Sequence, residues 1–138
     1  MTNDIKPGIE HTFTYTVPES KMIPEIFPES DYFQEMPDVL ASGYYVALVE
    51  WACIEMLEPY LDWPEEQTVG THFDLSHEAP TPSGTTITID VEITDVEGRQ
   101  LTIDVDAKDE VERIGQGTHK RYIVDREQFV DSISDDKL

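Results

Sequence analysis

The chain has 138 residues, the size of one ordinary domain, and two domains are not expected because each half would have only a marginal core. Hydrophobic residues make up 38% of it, which allows a packed core and excludes wholesale disorder. The 30 acidic residues against 9 basic ones give a formal net charge of -21, which disfavours nucleic acids and anionic membrane surfaces as partners.

The cysteine content and the apolar segments indicate the cellular compartment. The one cysteine, Cys53, excludes an internal disulfide and suits a reducing environment. No signal peptide is evident, and the longest apolar region, 43–56, is too short to cross a bilayer. We predict a soluble, cytoplasmic protein with one domain over residues 1–138. The scattered acidic residues favour a cytoplasm of high salt concentration, where the repulsion between like charges is largely screened. The alternative is a very acidic protein from a cytoplasm of ordinary salt concentration.

In chain order, residues 9–17 alternate apolar and polar side chains, which predicts a half-buried strand. Residues 18–40, rich in Pro, Glu and Ser, predict a loop with short helical turns that forms a lid. Residues 41–57 predict a helix that ends before Pro59; its first turns are apolar almost all round, so it should be buried. Residues 58–68 predict an acidic connection.

The second half predicts strands. Three alternating stretches, 71–79, 87–94 and 101–107, are followed by a last strand over 117–124 and an acidic tail, 125–138, that should fray. Five strands and one helix predict an α+β fold with an antiparallel sheet. Because one curved sheet cannot cover all sides of an apolar helix, the uncovered surface predicts a homodimer.

Glu50 is the most informative single residue. It is the only charged residue between Asp38 and Glu55, and it lies in the middle of the predicted helix. A buried carboxylate must be paired, hydrogen-bonded or protonated, and such a group suits acid–base chemistry. An exposed position, or one half of a structural hydrogen bond, would explain Glu50 equally well.

His77 is the second candidate. It shares strand parity with Phe73 and should face the helix, whereas His72 has the opposite parity and should be solvated. A single histidine on an apolar face is more often a satisfied core residue. However, the helix opposite carries Glu50 and Ser42, and Glu, His and Ser in an apolar pocket suit acyl transfer or hydrolysis. This hypothesis requires Glu50 and His77 to share one cleft.

Ser42 and Glu50 lie about 12 Å apart along a straight helix, so they cannot hydrogen-bond directly. We expect Ser42 at the N-cap, followed by Gly43. Free N–H groups and the helix dipole at that end favour an anion, such as a developing thioester oxyanion. Simple capping of the helix would explain Ser42 as well.

His119-Lys120-Arg121 is the densest basic segment. Parity places His119 and Arg121 on one face and Lys120 on the other, which suits an anionic ligand or, alternatively, a surface salt-bridge cluster. Cys53 has no basic neighbour in sequence, which indicates inert packing. The four histidines lack the spacing of metal ligands, and no phosphate-binding glycine motif is present, so we predict no metal.

Several segments together resemble the hotdog-fold acyl-CoA thioesterases, and most of all their fluoroacetyl-CoA thioesterase branch. They are Ala41-Ser42-Gly43, Glu50-Trp51-Ala52-Cys53, Gly70-Thr71, His77-Glu78-Ala79-Pro80-Thr81-Pro82-Ser83-Gly84 and Gly115-Gln116-Gly117-Thr118-His119. The resemblance extends over residues 8–129. It implies a dimeric hotdog fold, in which a five-stranded antiparallel sheet wraps around one long central helix.

The resemblance also implies roles for individual residues. Glu50 would attack the acyl group or activate water, His77 would assist proton transfer, and Ser42 would orient the carbonyl or the glutamate. Gly70 matches a glycine that lets the thioester approach the backbone, and Arg121 matches a basic position near the ligand. The implied substrate-binding residues are Phe33, Met36, Gly43, Gly70, His119 and Arg121.

Two positions depart from the family. The fluoroacetyl-specific enzyme has threonine where this chain has Ser42, and a phenylalanine in the lid where this chain has Met36, whereas Phe33 is retained. The loss of one rigid aromatic residue from the lid bears on specificity for fluoroacetyl groups and not on thioester hydrolysis itself.

We therefore predict a homodimeric thioesterase that hydrolyses a short or medium acyl-CoA to the free acid and coenzyme A. It would need no cofactor, since coenzyme A is part of the substrate. The alternative is a non-catalytic acyl-CoA-binding or regulatory hotdog module, which would bind the ligand without releasing thiol. A hotdog hydratase is disfavoured because no Asp-x-Asn-Pro-type segment with a following histidine is present.

Overall fold

The structure is a computed structural model that describes residues 4–138. The long helix α2 is preceded by one strand and a segment of short helical turns, and it is followed by four strands and a short helix. The elements are β1 (Glu10–Thr16), α1 (Asp31–Gln34), α2 (Ser42–Leu57), β2 (Glu66–Leu75), β3 (Thr86–Glu97), β4 (Gln100–Lys108), β5 (Arg113–Asp125) and α3 (Arg126–Asp131). Short 3-10 turns occupy Glu19–Lys21, Ile23–Glu25, Glu58–Tyr60 and Asp135–Lys137.

The strands form one antiparallel sheet in the order β1-β3-β4-β5-β2, so β1 and β2 are its edges. The predicted turn between β3 and β4 is present, and Gly98 there has a φ of 63°, a left-handed conformation that favours glycine. With α2 packed against β1, β2 and β3, the predicted α+β hotdog arrangement is confirmed.

The core lies between the inner face of the sheet and α2. The predicted inward side chains of β3 and β4 are all buried: Ile87, Ile89, Val91, Ile93, Leu101, Ile103, Val105 and Ala107. They pack with the apolar side chains of α2 that face the sheet. The period-2 alternation of these strands therefore identified their buried face correctly.

A β-bulge interrupts β2 at Thr71. Gly70 pairs with Arg121 and His72 pairs with Lys120, so Thr71 is the extra residue on β2. Because a bulge shifts the alternation by one position, Gly70 before it and Phe73 after it both point toward α2. The bulge thus brings two side-chain positions of β2 onto the same part of the inner face.

One side of α2 is not covered within the protomer. Gly43, Ala47 and Trp51 follow one another at four-residue spacing on that side and are exposed. This is the surface that the sequence predicted to remain after one sheet had wrapped the helix. No helix among residues 4–138 combines the length and apolar character needed to cross a membrane.

Several predicted boundaries were wrong. The strand β2 begins at Glu66, inside the stretch predicted as a connection, and it ends at Leu75 instead of residue 79, so His77 lies after the strand and not on it. The strand β5 begins at Arg113, four residues before the predicted start. Residues 126–131 form α3 instead of fraying, because the Asp125 side chain accepts a hydrogen bond from the backbone N–H of Gln128 and caps the helix.

Candidate active site

The middle of α2 carries an ion pair that joins it to β5. Arg121 Nη1 donates to Glu50 Oε2 at 2.9 Å. The Arg121 side chain is 2% exposed, whereas that of Glu50 is 33% exposed. Glu50 is therefore paired, as a carboxylate in this position must be, and part of it is still accessible to solvent.

Arg121 is held by three further hydrogen bonds. Its Nε donates to Thr68 Oγ1 and its Nη2 to the Thr68 carbonyl, both at 2.7 Å. Its Nη1 also donates to His119 Nε2 at 3.1 Å. Because the guanidinium is anchored on two strands, it presents a fixed positive charge to Glu50. We call Thr68, Glu50, His119 and Arg121 the Glu50 cluster.

The tautomer of His119 follows from its partners. Nδ1 lies 2.8 Å from the His72 carbonyl, which can only accept, so Nδ1 carries the proton and Nε2 is left to accept from Arg121. Burial lowers the pKa of His119, and the Arg121 charge acts in the same direction, while the bond to the carbonyl opposes them. The imidazole is therefore held in its neutral form at neutral pH.

The interpretation of residues 119–121 as a surface salt-bridge cluster was wrong. His119 and Arg121 are buried and Lys120 is on the other face of β5, as parity predicted. The surface assignment failed because it ignored the acidic partner that the helix supplies to the inner face.

Gly70 lies directly beside the Glu50 cluster. A Cβ at this position would be 2.6 Å from Phe73 Cζ and 2.8 Å from Glu50 Oε2. The Phe73 ring in turn stacks on His119, with 4.4 Å between the ring centroids. Only glycine fits at this position, because the Phe73 ring and the Glu50 carboxylate occupy the space that a Cβ would take.

A second polar cluster lies at the N-terminal end of α2. Ser42 Oγ and His77 Nδ1 are hydrogen-bonded at 2.7 Å, so the prediction that His77 faces the helix is confirmed. The Tyr45 ring stacks on the imidazole, with 4.8 Å between centroids. Burial lowers the pKa of His77. We call Ser42, Tyr45 and His77 the His77 cluster.

A cavity of about 260 Å³ opens beside the His77 cluster. Its lining is apolar except where Ser42, His77 and Glu78 reach it; the other lining residues are Ile23, Val39, Leu40, Ala79 and Pro80. Such a lining accommodates an aliphatic group next to a serine and an imidazole.

The predicted N-cap position of Ser42 was wrong. Ala41 is the N-cap and has no side-chain capping bond, and Ser42 is the first residue of α2. The hydroxyl of Ser42 is engaged by His77 instead of by a backbone N–H of the first turn.

Within one protomer, Glu50 and His77 do not share a cleft. His77 contacts the first turn of α2, whereas Glu50 lies about 12 Å further along the helix and pairs with Arg121. The shared cleft that the hypothesis requires is therefore not present within one protomer.

The other candidates occupy separate places. Phe33 is half-buried in α1 with its ring 4.9 Å from that of Phe27, Met36 is 48% exposed, and Gly43 is exposed in the first turn of α2. Cys53 is buried, which raises its pKa to about 12 and keeps the thiol inert, as predicted. Within residues 4–138, no group of three or more His, Cys, Asp or Glu is arranged to hold a metal ion.

Two residues of these clusters escaped the sequence reasoning. Thr68 was placed in a connection, although its position two residues before Gly70 would put both on one face if the strand had been extended. Tyr45 was counted as one more apolar residue of the helix, and nothing in the sequence distinguishes it from its neighbour Tyr44.

Comparisons with known proteins show which family the chain resembles. Residues 24–127 match the family model of the fluoroacetyl-CoA-specific thioesterase, FlK. The fluoroacetyl-CoA thioesterase of Streptantibioticus cattleyicolor is 41% identical over 129 residues, which cover 94% of this chain and 92% of that protein.

Solved structures give the same result. A variant of the fluoroacetyl-CoA-specific thioesterase in complex with fluoroacetate and CoA has a TM-score of 0.86 and 42% identity, covering 91% of this chain and 99% of that chain. A thioesterase superfamily member from Thermus thermophilus shares the fold, with a TM-score of 0.78 at 20% identity over 92% of this chain and 89% of that chain.

Proposed function

The chain belongs to the family of fluoroacetyl-CoA-specific thioesterases and is a thioester hydrolase, and on this premise we propose that it hydrolyses short or medium acyl-CoA with Ser42, Glu50 and His77. One observation carries the proposal. The Glu50 carboxylate is oriented through Oε2 by a buried arginine, while a third of its side chain stays exposed beside a glycine. A fixed, accessible carboxylate is what attack on a thioester, or activation of water, requires.

The reaction needs only the chain's own groups and water. Either a Glu50 oxygen attacks the carbonyl carbon and forms an anhydride that water then hydrolyses, or Glu50 removes a proton from an attacking water. In both cases the C–S bond breaks, coenzyme A leaves as the thiolate and takes up a proton, and the acyl group ends as the free acid. His77 moves the proton, and Ser42 orients the carbonyl.

A homodimer resolves the separation of the two clusters. The exposed side of α2 has glycine and alanine at Gly43 and Ala47, so a second copy of the helix can approach closely there. If two copies cross antiparallel at Ala47, Ser42 lies five residues before the crossing and Glu50 three residues after it. The two residues then differ by about 3 Å along the shared axis, against about 12 Å within one protomer.

Mixed dimers test this arrangement. Glu50→Gln and His77→Ala protomers are each expected to lose at least about a hundredfold in turnover, the lower range for acid–base catalysis. When the two are unfolded together and refolded as a mixture, half of the dimers contain one of each, and each mixed dimer has one intact site. About a quarter of wild-type activity should return. A mixture as inactive as its components would reject a site shared between subunits.

Matched substitutions control for nonspecific damage. Glu55→Gln changes a second glutamate of α2 that pairs with His11 at the surface, and His72→Ala removes an exposed imidazole. Both should retain turnover within about twofold, since exposed substitutions rarely cost more. Near-normal hydrolysis by both Glu50→Gln and His77→Ala would remove these residues from the mechanism.

A thiol-release assay on several acyl-CoA thioesters tests the acyl specificity. We propose a substrate range that is not restricted to fluoroacetyl-CoA, because Met36 is a flexible, exposed side chain that cannot act as a rigid aromatic gate. Acetyl-, fluoroacetyl-, butyryl- and hexanoyl-CoA should all release thiol, with kcat/KM values within about a hundredfold of each other. Activity on fluoroacetyl-CoA alone would contradict this range, and binding without release would favour a regulatory module.

A further inference from the structure

Tyr45 is buried against the imidazole that the proposed mechanism uses. It lies on α2 one turn after Ser42 and is 1% exposed. Its ring plane is inclined by only 28° to that of His77, with 4.8 Å between centroids, so the two rings are stacked. The tyrosine thus covers one flat face of the imidazole.

Ser42 and Tyr45 together restrain the imidazole in two directions. The hydroxyl of Ser42 engages Nδ1 in the ring plane at 2.7 Å, and Tyr45 blocks one face. The other nitrogen, Nε2, is buried and has no hydrogen-bond partner within residues 4–138. Whichever of Ser42 and Nδ1 donates, Nε2 is the nitrogen left free to exchange a proton with a ligand.

The tyrosine ring is itself fixed from behind. A Cβ at Gly115 on β5 would collide with Tyr45 Oη, so glycine at that position makes room for the ring. Burial, with smaller contributions from Glu78 and Asp106, raises the pKa of Tyr45 to about 12, so the phenol stays neutral through the working range. The Tyr45 ring therefore packs against the imidazole and excludes water from it without adding a charge.

Few charged groups surround the imidazole. Glu78 follows it in the chain and shares its cavity, α2 presents Ser42 and Tyr45, and the lid segment contributes apolar residues only: Ile23, Val39 and Leu40. Burial is the cause of the lowered pKa of His77. The neutral state of this imidazole thus depends on what covers it.

We propose that Tyr45 is a positioning residue that stacks on His77, keeps water from one face of the imidazole and leaves Nε2 free to exchange a proton with a ligand. The inference rests on the proposed role of His77 in hydrolysis. Removing the ring should let the imidazole rotate and hydrate, so that the neutral, aligned form is less populated near neutral pH.

NMR titration of the wild-type dimer tests the contact without any substitution. The ring protons of His77 should be shifted upfield by the Tyr45 ring, and the pKa of His77 should lie below 6.5, the usual value for histidine. A His77 pKa of 6.5 or above, without a ring-current shift, would overturn the proposal, whether or not any variant folds.

Substitutions then separate the ring from its hydroxyl. Tyr45→Met keeps most of the volume but removes the flat ring. In this variant the pKa of His77 should rise toward the usual histidine value of 6.5, and the acid limb of the kcat/KM profile should move to higher pH. Its kcat at pH 7 should fall about tenfold with little change in KM. Tyr45→Phe should have the acid limb of the wild-type kcat/KM profile, because the ring is retained. Tyr122→Met is the matched control at an exposed tyrosine.

The two proposals fail separately. If His77→Ala retains full turnover while Tyr45→Met still raises the pKa of His77, the catalytic assignment is wrong and the positioning contact stands. If His77→Ala is inactive but Tyr45→Met and Tyr45→Phe share one pH profile and one His77 pKa, the positioning role of Tyr45 is wrong and the catalytic assignment stands.

Discussion

The two polar clusters on α2 differ in how completely their hydrogen bonds are satisfied. In the Glu50 cluster, Arg121 makes four hydrogen bonds and both ring nitrogens of His119 have partners. In the His77 cluster, Tyr45 Oη and His77 Nε2 are buried without a partner in the described part of the chain. A satisfied network gives a rigid electrostatic frame, whereas buried polar atoms without partners are typical of a site that binds something else.

The comparison also separates stability from chemistry. The Glu50 cluster ties α2 to β5 and β2 through a buried charge, so its loss should weaken the fold. The His77 cluster adds one neutral hydrogen bond and one ring stack, so its loss should change turnover more than unfolding free energy.

Arg121→Met is the largest test of this difference. It leaves Glu50 without its cation and Thr68 and His119 without their donor, and the unfolding free energy should fall by about 3 kcal/mol. Denaturant unfolding measures it, with Arg126→Met in the exposed helix α3 as the matched control. A loss below about 1 kcal/mol would mean that the pair adds little to the fold.

Gly70→Ala perturbs the Glu50 cluster without removing a charge. Because the new Cβ would overlap Phe73 and Glu50 Oε2, kcat should fall about tenfold or more, a typical cost of misplacing a catalytic group. Adding Phe73→Leu separates the two causes. Recovery in the double variant would assign the loss to the ring, and continued loss would assign it to the carboxylate.

The pH dependence of stability should reveal the neutral histidines. Their pKa values are lowered mainly by burial, so below the unfolded value of 6.5 the unfolded chain binds more protons than the native one. The unfolding free energy should therefore decrease as pH falls from 7 toward 5, by at most about 1.4 kcal/mol per pH unit for each histidine. His119→Asn should reduce this slope, and a slope equal to that of the wild type would contradict a buried neutral His119.

Salt should act on the outer face of the sheet and leave the Glu50 cluster largely unaffected. Glu92 stands directly opposite both Glu10 and Asp104 on the neighbouring strands, and Asp90 is opposite Asp106. Like charges in these positions destabilise a sheet, and molar salt shortens the Debye length to about 3 Å.

We therefore propose that the chain is adapted to high salt, and we expect molar KCl to raise Tm by a few degrees. The loss of unfolding free energy caused by Arg121→Met should change by less than about 0.5 kcal/mol in the same salt. A Tm that does not rise would reject salt adaptation. If Arg121→Met no longer lowers the unfolding free energy in molar salt, the Glu50–Arg121 ion pair is screened like a surface pair.

Much of the fold was predictable because burial imposes a period on the sequence. The alternation of β3 and β4 identified their inner faces, and the unbroken apolar stretch identified α2. The start of β2 was not predictable, since Glu66 and Gln67 lie on an edge strand where no apolar alternation marks the strand.

The members of the site were easier to predict than their partners. Glu50 and His77 are conspicuous as polar residues in apolar surroundings. The pairing of Glu50 with Arg121, 71 positions later, depends on the register of β5 and on the packing of α2, which no local pattern encodes. The N-cap of α2 was placed one residue late because serine is the usual capping residue, whereas here His77 competes for its hydroxyl.

The bulge at Thr71 makes this part of the chain tolerant of the loss of one residue. Deleting Thr71 would restore a regular ladder in which Gly70 stays opposite Arg121 and Phe73 stays opposite His119, so both would still face α2. Related sequences should therefore be able to lack this one residue while the residues that face Arg121 and His119 are kept.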